Sequence, residues 1–146
     1  MDVLISEVAG EGRWSQFNLK LDWVKMFFGS PPEELNMVSL CSLNSNGNIG
    51  SKYDQRAIFK QNSRNWAFEI PDANELDYPG IQERPILALS QRLDNLFSFE
   101  LLMPADQAYE SVSDFLKKNR STPERELSRV ITTRQALGAN LCGLNI

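Results

Sequence analysis

Short apolar stretches, interrupted every few residues by glycine, proline or asparagine, constrain what this chain can fold into. Alternation is strictest where Phe17, Leu19 and Leu21 enclose Asn18 and Lys20. A period of two predicts β-strands with one buried face. The segments that predict strands are residues 2–8, 17–21, 37–43, 56–59, 66–70, 86–89 and 96–103. The turn residues after 59 and after 89 predict two hairpins.

Helical periodicity occurs in three segments. A helix is predicted over residues 23–28, capped by Asp22 and ended by Gly29, with Trp23, Met26 and Phe27 on one face that packs in the core. Further helices are predicted over residues 106–118 and 124–137. Two or three helices among several strands predict an α+β fold, mainly antiparallel, centred on a curved or closed sheet.

Length and composition fit one soluble globular domain. The chain has 146 residues, 42% of them hydrophobic, and a formal net charge of −4. No apolar run is long enough to span a bilayer, so no membrane partner is expected. Cys41 and Cys142 lie far apart and no signal-peptide pattern precedes them, which favours a reducing cytoplasm.

The most informative absence is histidine, which does not occur. Catalysis by Ser/His/Asp or Cys/His and standard zinc sites are therefore excluded. No phosphate-binding glycine motif is present, and no aspartate is followed by the Glu-x-Lys of metal-dependent nucleases. We accordingly predict no catalytic residue, no metal ligand and no cofactor for this chain.

Basic residues concentrate in one predicted hairpin. Residues 51–70 contain four basic and two acidic residues, whereas residues 71–100 contain two basic and six acidic ones. The hairpin loop combines cations, which hold phosphates, with amides and an arginine, which can read base edges in the major groove. Its candidate DNA-binding residues are Lys60, Gln61, Asn62, Ser63, Arg64, Asn65 and Trp66. The alternative is an ordinary solvated hairpin tip.

A second loop of similar character follows the first predicted strand. After Gly10 and Gly12 it offers four candidate DNA-binding residues, and Asn18 in the next strand is a fifth. The four are Arg13, Trp14, Ser15 and Gln16. Two such loops could hold a duplex between them if the fold places them side by side. The alternative is that Trp14 folds back onto the core.

The order of these segments resembles a known DNA-binding domain. The glycine-rich loop, the strand over 17–21, the short helix and Gly29-Ser30-Pro31 are followed by Arg56-Ala57-Ile58-Phe59, Asn62-Ser63-Arg64 and the 86–103 hairpin. This order is similar to the effector domain of EcoRII-type restriction endonucleases, a pseudobarrel of the B-three type. The resemblance covers roughly residues 5–118.

The resemblance implies an open pseudobarrel of about seven strands that grips double-stranded DNA in the major groove with two arms. The arms would be the two loops described above. Cutting would belong to a nuclease domain outside this chain. Residues 1–120 would then form the DNA-binding domain, and residues 121–146 a C-terminal helix or linker toward the nuclease domain.

Two other functions compete with this prediction. A protein-interaction or inhibitor domain could use Trp14, Trp66, Tyr78 and the acidic loop over residues 72–83 to bind a basic protein. An enzyme acting through aspartate and glutamate alone would need two converging carboxylates, and the sequence identifies no such pair.

Overall fold

The computed structural model describes residues 2–10, 14–43, 49–60, 64–71, 73–92 and 96–138. Nine strands and three α-helices lie within these ranges. The strands are β1 (Asp2–Glu7), β2 (Gln16–Lys20), β3 (Met37–Leu43), β4 (Ile49–Arg56), β5 (Ile58–Lys60), β6 (Asn65–Glu69), β7 (Ile86–Gln91), β8 (Leu96–Leu102) and β9 (Arg129–Thr133). The helices are α1 (Leu21–Phe28), α2 (Tyr109–Asn119) and α3 (Arg134–Leu137).

The strands form two sheets. A six-stranded sheet has the order β4-β3-β8-β7-β1-β9, and a three-stranded sheet has the order β2-β6-β5. Neighbours are antiparallel except for the parallel pair β3 and β8. The predicted α+β class and both predicted hairpins, β5–β6 and β7–β8, are confirmed. The strands do not close into a barrel.

The main core lies between the two sheets. Its largest fully buried side chains include Trp66, Phe17 and Phe68 from the three-stranded sheet and Leu4 from β1. A second apolar cluster, with Val112 and Leu116 of α2, covers the opposite face of the six-stranded sheet. Because both faces of β1 and β7 are covered, nearly every residue in these two strands is buried.

Helix α1 ends as predicted but buries a different face. Gly29 adopts the left-handed conformation, with φ of 73°, and its N–H donates a hydrogen bond to the Lys25 carbonyl oxygen. The helix begins at Leu21 rather than after Asp22, so the predicted Asp22 cap is wrong. Val24 and Phe27 are buried, whereas Met26 is 58% exposed. The hydrophobic stripe is therefore rotated by part of a turn from the predicted one.

The predicted C-terminal helix over residues 124–137 is largely wrong. Residues Arg129–Thr133 form β9, which pairs antiparallel with β1, and only Arg134–Leu137 are helical. These residues form a strand because the edge of β1 is free to pair with them, and because Val, Ile and Thr have high β-propensity. The described residues after 120 therefore pack on the sheet, and a connection to a nuclease domain remains a prediction.

The two sheets meet along two seams. On one side the chain continues from β4 through the buried Ala57 into β5. On the other side no strand pairing joins β9 to β2 within the described residues, and Arg129 crosses the gap. Its Nε donates to Ser6 Oγ at 2.6 Å and its Nη2 donates to the Asn18 carbonyl oxygen of β2 at 2.7 Å.

The guanidinium of Arg129 also lies over the Phe17 ring, 5.5 Å from its centroid. Burial lowers the pKa of Arg129 to about 10, so the group is charged at neutral pH. A buried cation is expensive unless it is hydrogen-bonded, and here donors meet acceptors from both sheets. We call this contact the Arg129 seam.

No helix within the described ranges is long and apolar enough to cross a membrane.

Replacing Arg129 with alanine is expected to lower the free energy of unfolding by about 2–4 kcal/mol, because charged hydrogen bonds and packing on Phe17 are lost together. Urea denaturation measures the change. Arg125→Ala is the control, since Arg125 is exposed, and it should stay within about 0.5 kcal/mol of the wild type. Equal stabilities of the two variants would show that the seam does not depend on Arg129.

Candidate nucleic-acid interface

The outward side of the three-stranded sheet is polar. Register pairs Gln16 with Glu69, Asn18 with Ala67 and Lys20 with Asn65, and places Ile58 and Lys60 of β5 beside Ala67 and Asn65. Paired residues share a face, and their chain neighbours Phe17, Leu19, Trp66 and Phe68 point into the core. We call the outward side the polar face; its members are Gln16, Asn18, Lys20, Ile58, Lys60, Asn65, Ala67 and Glu69.

A long contact crosses the polar face. Lys60 Nζ donates to Gln16 Oε1 at 2.8 Å, although the two residues lie at diagonal corners of the sheet. The residue midway between them is Ala67, whose short side chain lets the longer ones pass over it. Ala67 is 1% exposed despite facing outward. The contact thus brings together two predicted site residues from two different loops.

The second predicted loop begins and ends on this face. Lys60 and Asn65 are its flanking residues, and Arg64 precedes β6 in an exposed turn. Arg64 has φ of 53°, the left-handed conformation that glycine and asparagine adopt most readily. An arginine at this position carries backbone strain, a feature that clusters at functional sites.

A hollow of about 300 Å³ lies beside this turn, with Lys20, Asp22, Arg64 and Asn65 in its wall. Lys20 was not among the predicted site residues. The polar positions of β2 alternate as Gln16, Asn18 and Lys20, and extending that series by one residue would have identified it.

The first loop returns to the polar face through residues that pack inward. Ser15 is buried and its hydroxyl donates to Glu69 Oε2 at 2.8 Å. Trp14 is half-buried, with its ring centroid 5.5 Å from that of Tyr78 in an edge-on arrangement. A Cβ atom on Gly10 would lie 2.3 Å from the same Tyr78 ring, so close approach requires glycine there.

Tyr78 anchors the acidic loop to the first loop. Its hydroxyl donates to the Val8 carbonyl oxygen at 2.8 Å and accepts a hydrogen bond from Arg84 Nη1 at 3.0 Å. Trp14 also packs against the main core, so the alternative in which it folds back is confirmed. Tyr78, a residue of the competing protein-interaction surface, is partly buried and packs on Trp14.

Trp66 lies in the core and does not reach the surface. It is fully buried, and its Nε1 donates to the Leu35 carbonyl oxygen at 3.0 Å. Alternation explains the error: Trp66 follows Asn65 on β6 and so points to the core when Asn65 points outward. Its inclusion among the DNA-binding residues was wrong, and it is equally removed from the competing protein-interaction surface.

The expectation that the two loops lie side by side is wrong, because their described flanking residues lie at opposite ends of the three-stranded sheet. The first loop enters at Gln16, opposite Glu69, and the second joins Lys60 to Asn65 at the other end. The five residues of β2 separate these ends by about 14 Å, close to the 12 Å width of the major groove of B-DNA. The polar face, and not a gap between adjacent loops, is the surface that lies between the arms.

Four predicted site residues, Arg13, Gln61, Asn62 and Ser63, lie outside the described residues. Among the described ones, the polar face collects Gln16, Asn18, Lys60 and Asn65, with Arg64 at its edge. The Asn18 amide donates to the Gln16 carbonyl oxygen at 3.3 Å. No group of three acidic or cysteine side chains suited to a metal ion occurs within the described ranges.

Comparison with solved structures finds a similar fold. No protein-family model and no curated protein matches this chain. The N-terminal domain of Helicobacter pylori LlaJI.R1 has a similar solved structure. The TM-score is 0.60 at 14% identity, over 91% of this chain and 98% of that domain. This likeness shows the fold.

Because Arg64 occupies a left-handed turn, Arg64→Asn is expected to leave the free energy of unfolding unchanged or raise it by about 0.5 kcal/mol. Thermal or urea denaturation tests this. Arg64→Val is the opposite control, since a β-branched residue is least tolerated at positive φ, and it should destabilise by about 1 kcal/mol or more. A clear loss of stability in Arg64→Asn would mean that the arginine side chain holds the loop together.

Proposed function

We propose that this chain is the sequence-specific, double-stranded DNA-recognition domain of a restriction enzyme, with the polar face lying in the major groove between the two loops. The observation that carries the proposal is the polar face itself. It presents three amide side chains and the cations Lys20 and Lys60 on one sheet surface, with Arg64 at its end.

The chemistry of these groups suits the two parts of DNA recognition. Lysine side chains hold phosphates as point charges, without reading sequence. Asparagine, glutamine and arginine offer the paired donors and acceptors that distinguish adenine and guanine edges. The Lys60–Gln16 contact holds both side chains over Ala67 before DNA arrives, which reduces the entropy that binding must overcome.

The fold supports the same proposal. The likeness to the N-terminal domain of LlaJI.R1 is a likeness to part of a restriction-related protein. The sequence resemblance to EcoRII-type effector domains points to the same class of protein and proposes a more specific family within it. An acidic protein with one cationic face suits local reading of a site better than general coating of DNA.

The decisive experiment is selection from a pool of random duplexes, followed by gel-shift measurement of the enriched sequences. Arg64→Ala should cost about 1–3 kcal/mol and relax preference at one base pair. Lys60→Ala should weaken all sequences alike and lower the slope of log K against log salt by about one. Lys52→Ala, an exposed lysine on β4 away from the polar face, is the matched control.

No enrichment from the pool, or equal binding by Arg64→Ala, Lys60→Ala and Lys52→Ala, would contradict the assignment. A protein partner would then be the next candidate.

We further propose that cutting belongs to another domain. The isolated chain should not cleave plasmid DNA with Mg²⁺ or Mn²⁺ over hours of incubation, because the sequence contains neither histidine nor the aspartate and Glu-x-Lys pattern of metal-dependent nucleases. Agarose electrophoresis of plasmid measures this, with a commercial nuclease as positive control. Cleavage that copurifies with the chain and disappears after one Asp or Glu substitution would overturn the prediction.

A further inference from the structure

A row of three hollows extends from the polar face onto the C-terminal segment. The first, of about 300 Å³, has Lys20, Arg64 and Asn65 in its wall. The second, of about 290 Å³, shares Lys20 and adds Arg125. The third, of about 530 Å³, shares Arg125 and adds Lys117. Because neighbouring hollows share wall residues, they form one continuous surface, which we call the basic strip.

The charge of the basic strip differs in sign from that of the whole protein. Seven basic residues, one of them the buried Arg129, and four acidic residues line the three hollows, whereas the chain has 15 basic and 19 acidic residues. Lys117, Arg125 and Arg64 are exposed, and the Lys20 side chain is 63% exposed. A cationic surface on an acidic protein attracts polyanions locally.

The segment that carries Arg125 is held in place. The guanidinium of Arg120 donates to the carbonyl oxygens of Thr122, Pro123 and Glu126, at 3.0, 2.6 and 2.9 Å. Thr122 Oγ1 donates to the Leu127 carbonyl oxygen at 2.7 Å. Further along, the Ser128 N–H donates to Glu7 Oε1 at 2.7 Å. The strip is therefore built on an ordered loop attached to the sheet.

Of the four acidic residues that line the strip, Glu126 pairs directly with one of its exposed cations. Glu126 forms an ion pair with Lys20, and the hydrogen bond from Lys20 lowers the pKa of the Glu126 carboxyl. At neutral pH this carboxylate competes for a cation that would otherwise meet a phosphate. The strip thus contains residues whose removal should change affinity in opposite directions.

We propose that the basic strip binds the phosphate backbone of the same DNA duplex whose major groove the polar face contacts. This inference rests on the proposed function. It extends the interface to residues 117–126, beyond the arms, and supplies phosphate contacts that the two loops provide sparsely. The interaction is between fixed cations and backbone phosphates, so it adds affinity without adding base preference.

The test compares two double variants with the same change in net charge. Lys117→Ala with Arg125→Ala removes two exposed cations from the strip. Lys118→Ala with Lys52→Ala removes two exposed cations that line none of the three hollows, and Lys118 stands next to Lys117 on α2. Binding of a fluorescein-labelled duplex carrying the selected site is measured by anisotropy between 50 and 200 mM salt, and thermal melting checks that each variant folds.

The strip variant should lower the slope of log K against log salt by about two and weaken binding about tenfold or more, with the base preference unchanged. The control pair should change the slope by less than about half a unit. Glu126→Gln should strengthen binding about two- to fivefold, because it releases Lys20.

The outcomes separate the two proposals. If the wild type binds no duplex, the proposed function fails and this inference fails with it. If the wild type binds and responds to Lys60→Ala and Arg64→Ala, but the strip variant matches the control pair, only the inference is overturned. A Glu126→Gln variant that binds no better than the wild type would also count against it.

Discussion

The whole arrangement depends on one buried arginine. Arg129 belongs to the last strand of the six-stranded sheet, yet its guanidinium donates to Ser6 on β1 and to the Asn18 carbonyl on β2. Strand pairing is absent at this seam within the described residues. The side-chain hydrogen bonds of Arg129 therefore join the two sheets here, whereas backbone hydrogen bonds join neighbouring strands within each sheet. Desolvation opposes the charge, as the lowered pKa of Arg129 shows, and hydrogen bonds to both sheets offset that cost.

The Arg129 seam also determines where several charged side chains lie on the surface. It holds β2 beside the C-terminal segment, which brings Lys20 of the polar face next to Glu126 and places Arg125 along the same surface. Cations from distant parts of the chain, Lys20, Lys60, Arg64 and Arg125, are thereby collected on an otherwise acidic protein. Under the proposed function, this arrangement would concentrate phosphate contacts around the amide groups and limit attraction elsewhere.

The strands that the sequence predicts most accurately are those with the strongest local hydrophobic pattern. The strands with clear alternation or continuous apolar runs, such as β2, β3 and β8, lie within about a residue of their predicted positions. Strand β4 was mostly missed because it is a solvent-exposed edge, so its residues Ser51–Arg56 show no apolar alternation. The helix predicted in place of β9 follows from the helical i, i+3, i+4 spacing of Leu127, Val130 and Ile131, whereas pairing with β1 selects the strand.

Composition and local pattern, by themselves, determined the α+β class, two hairpins, the end of α1 at Gly29 and a basic hairpin on an acidic chain, since these depend on neighbouring residues alone. Tertiary structure alone decided that Trp66 is core, that Trp14 packs on Tyr78, that the two loops lie at opposite ends of one sheet and that Arg125 and Glu126 lie beside Lys20. Each of these follows from register and sheet order, which bring together residues 40 to 110 positions apart. Such long-range pairings are selected by the fit of the whole core, which no short segment encodes.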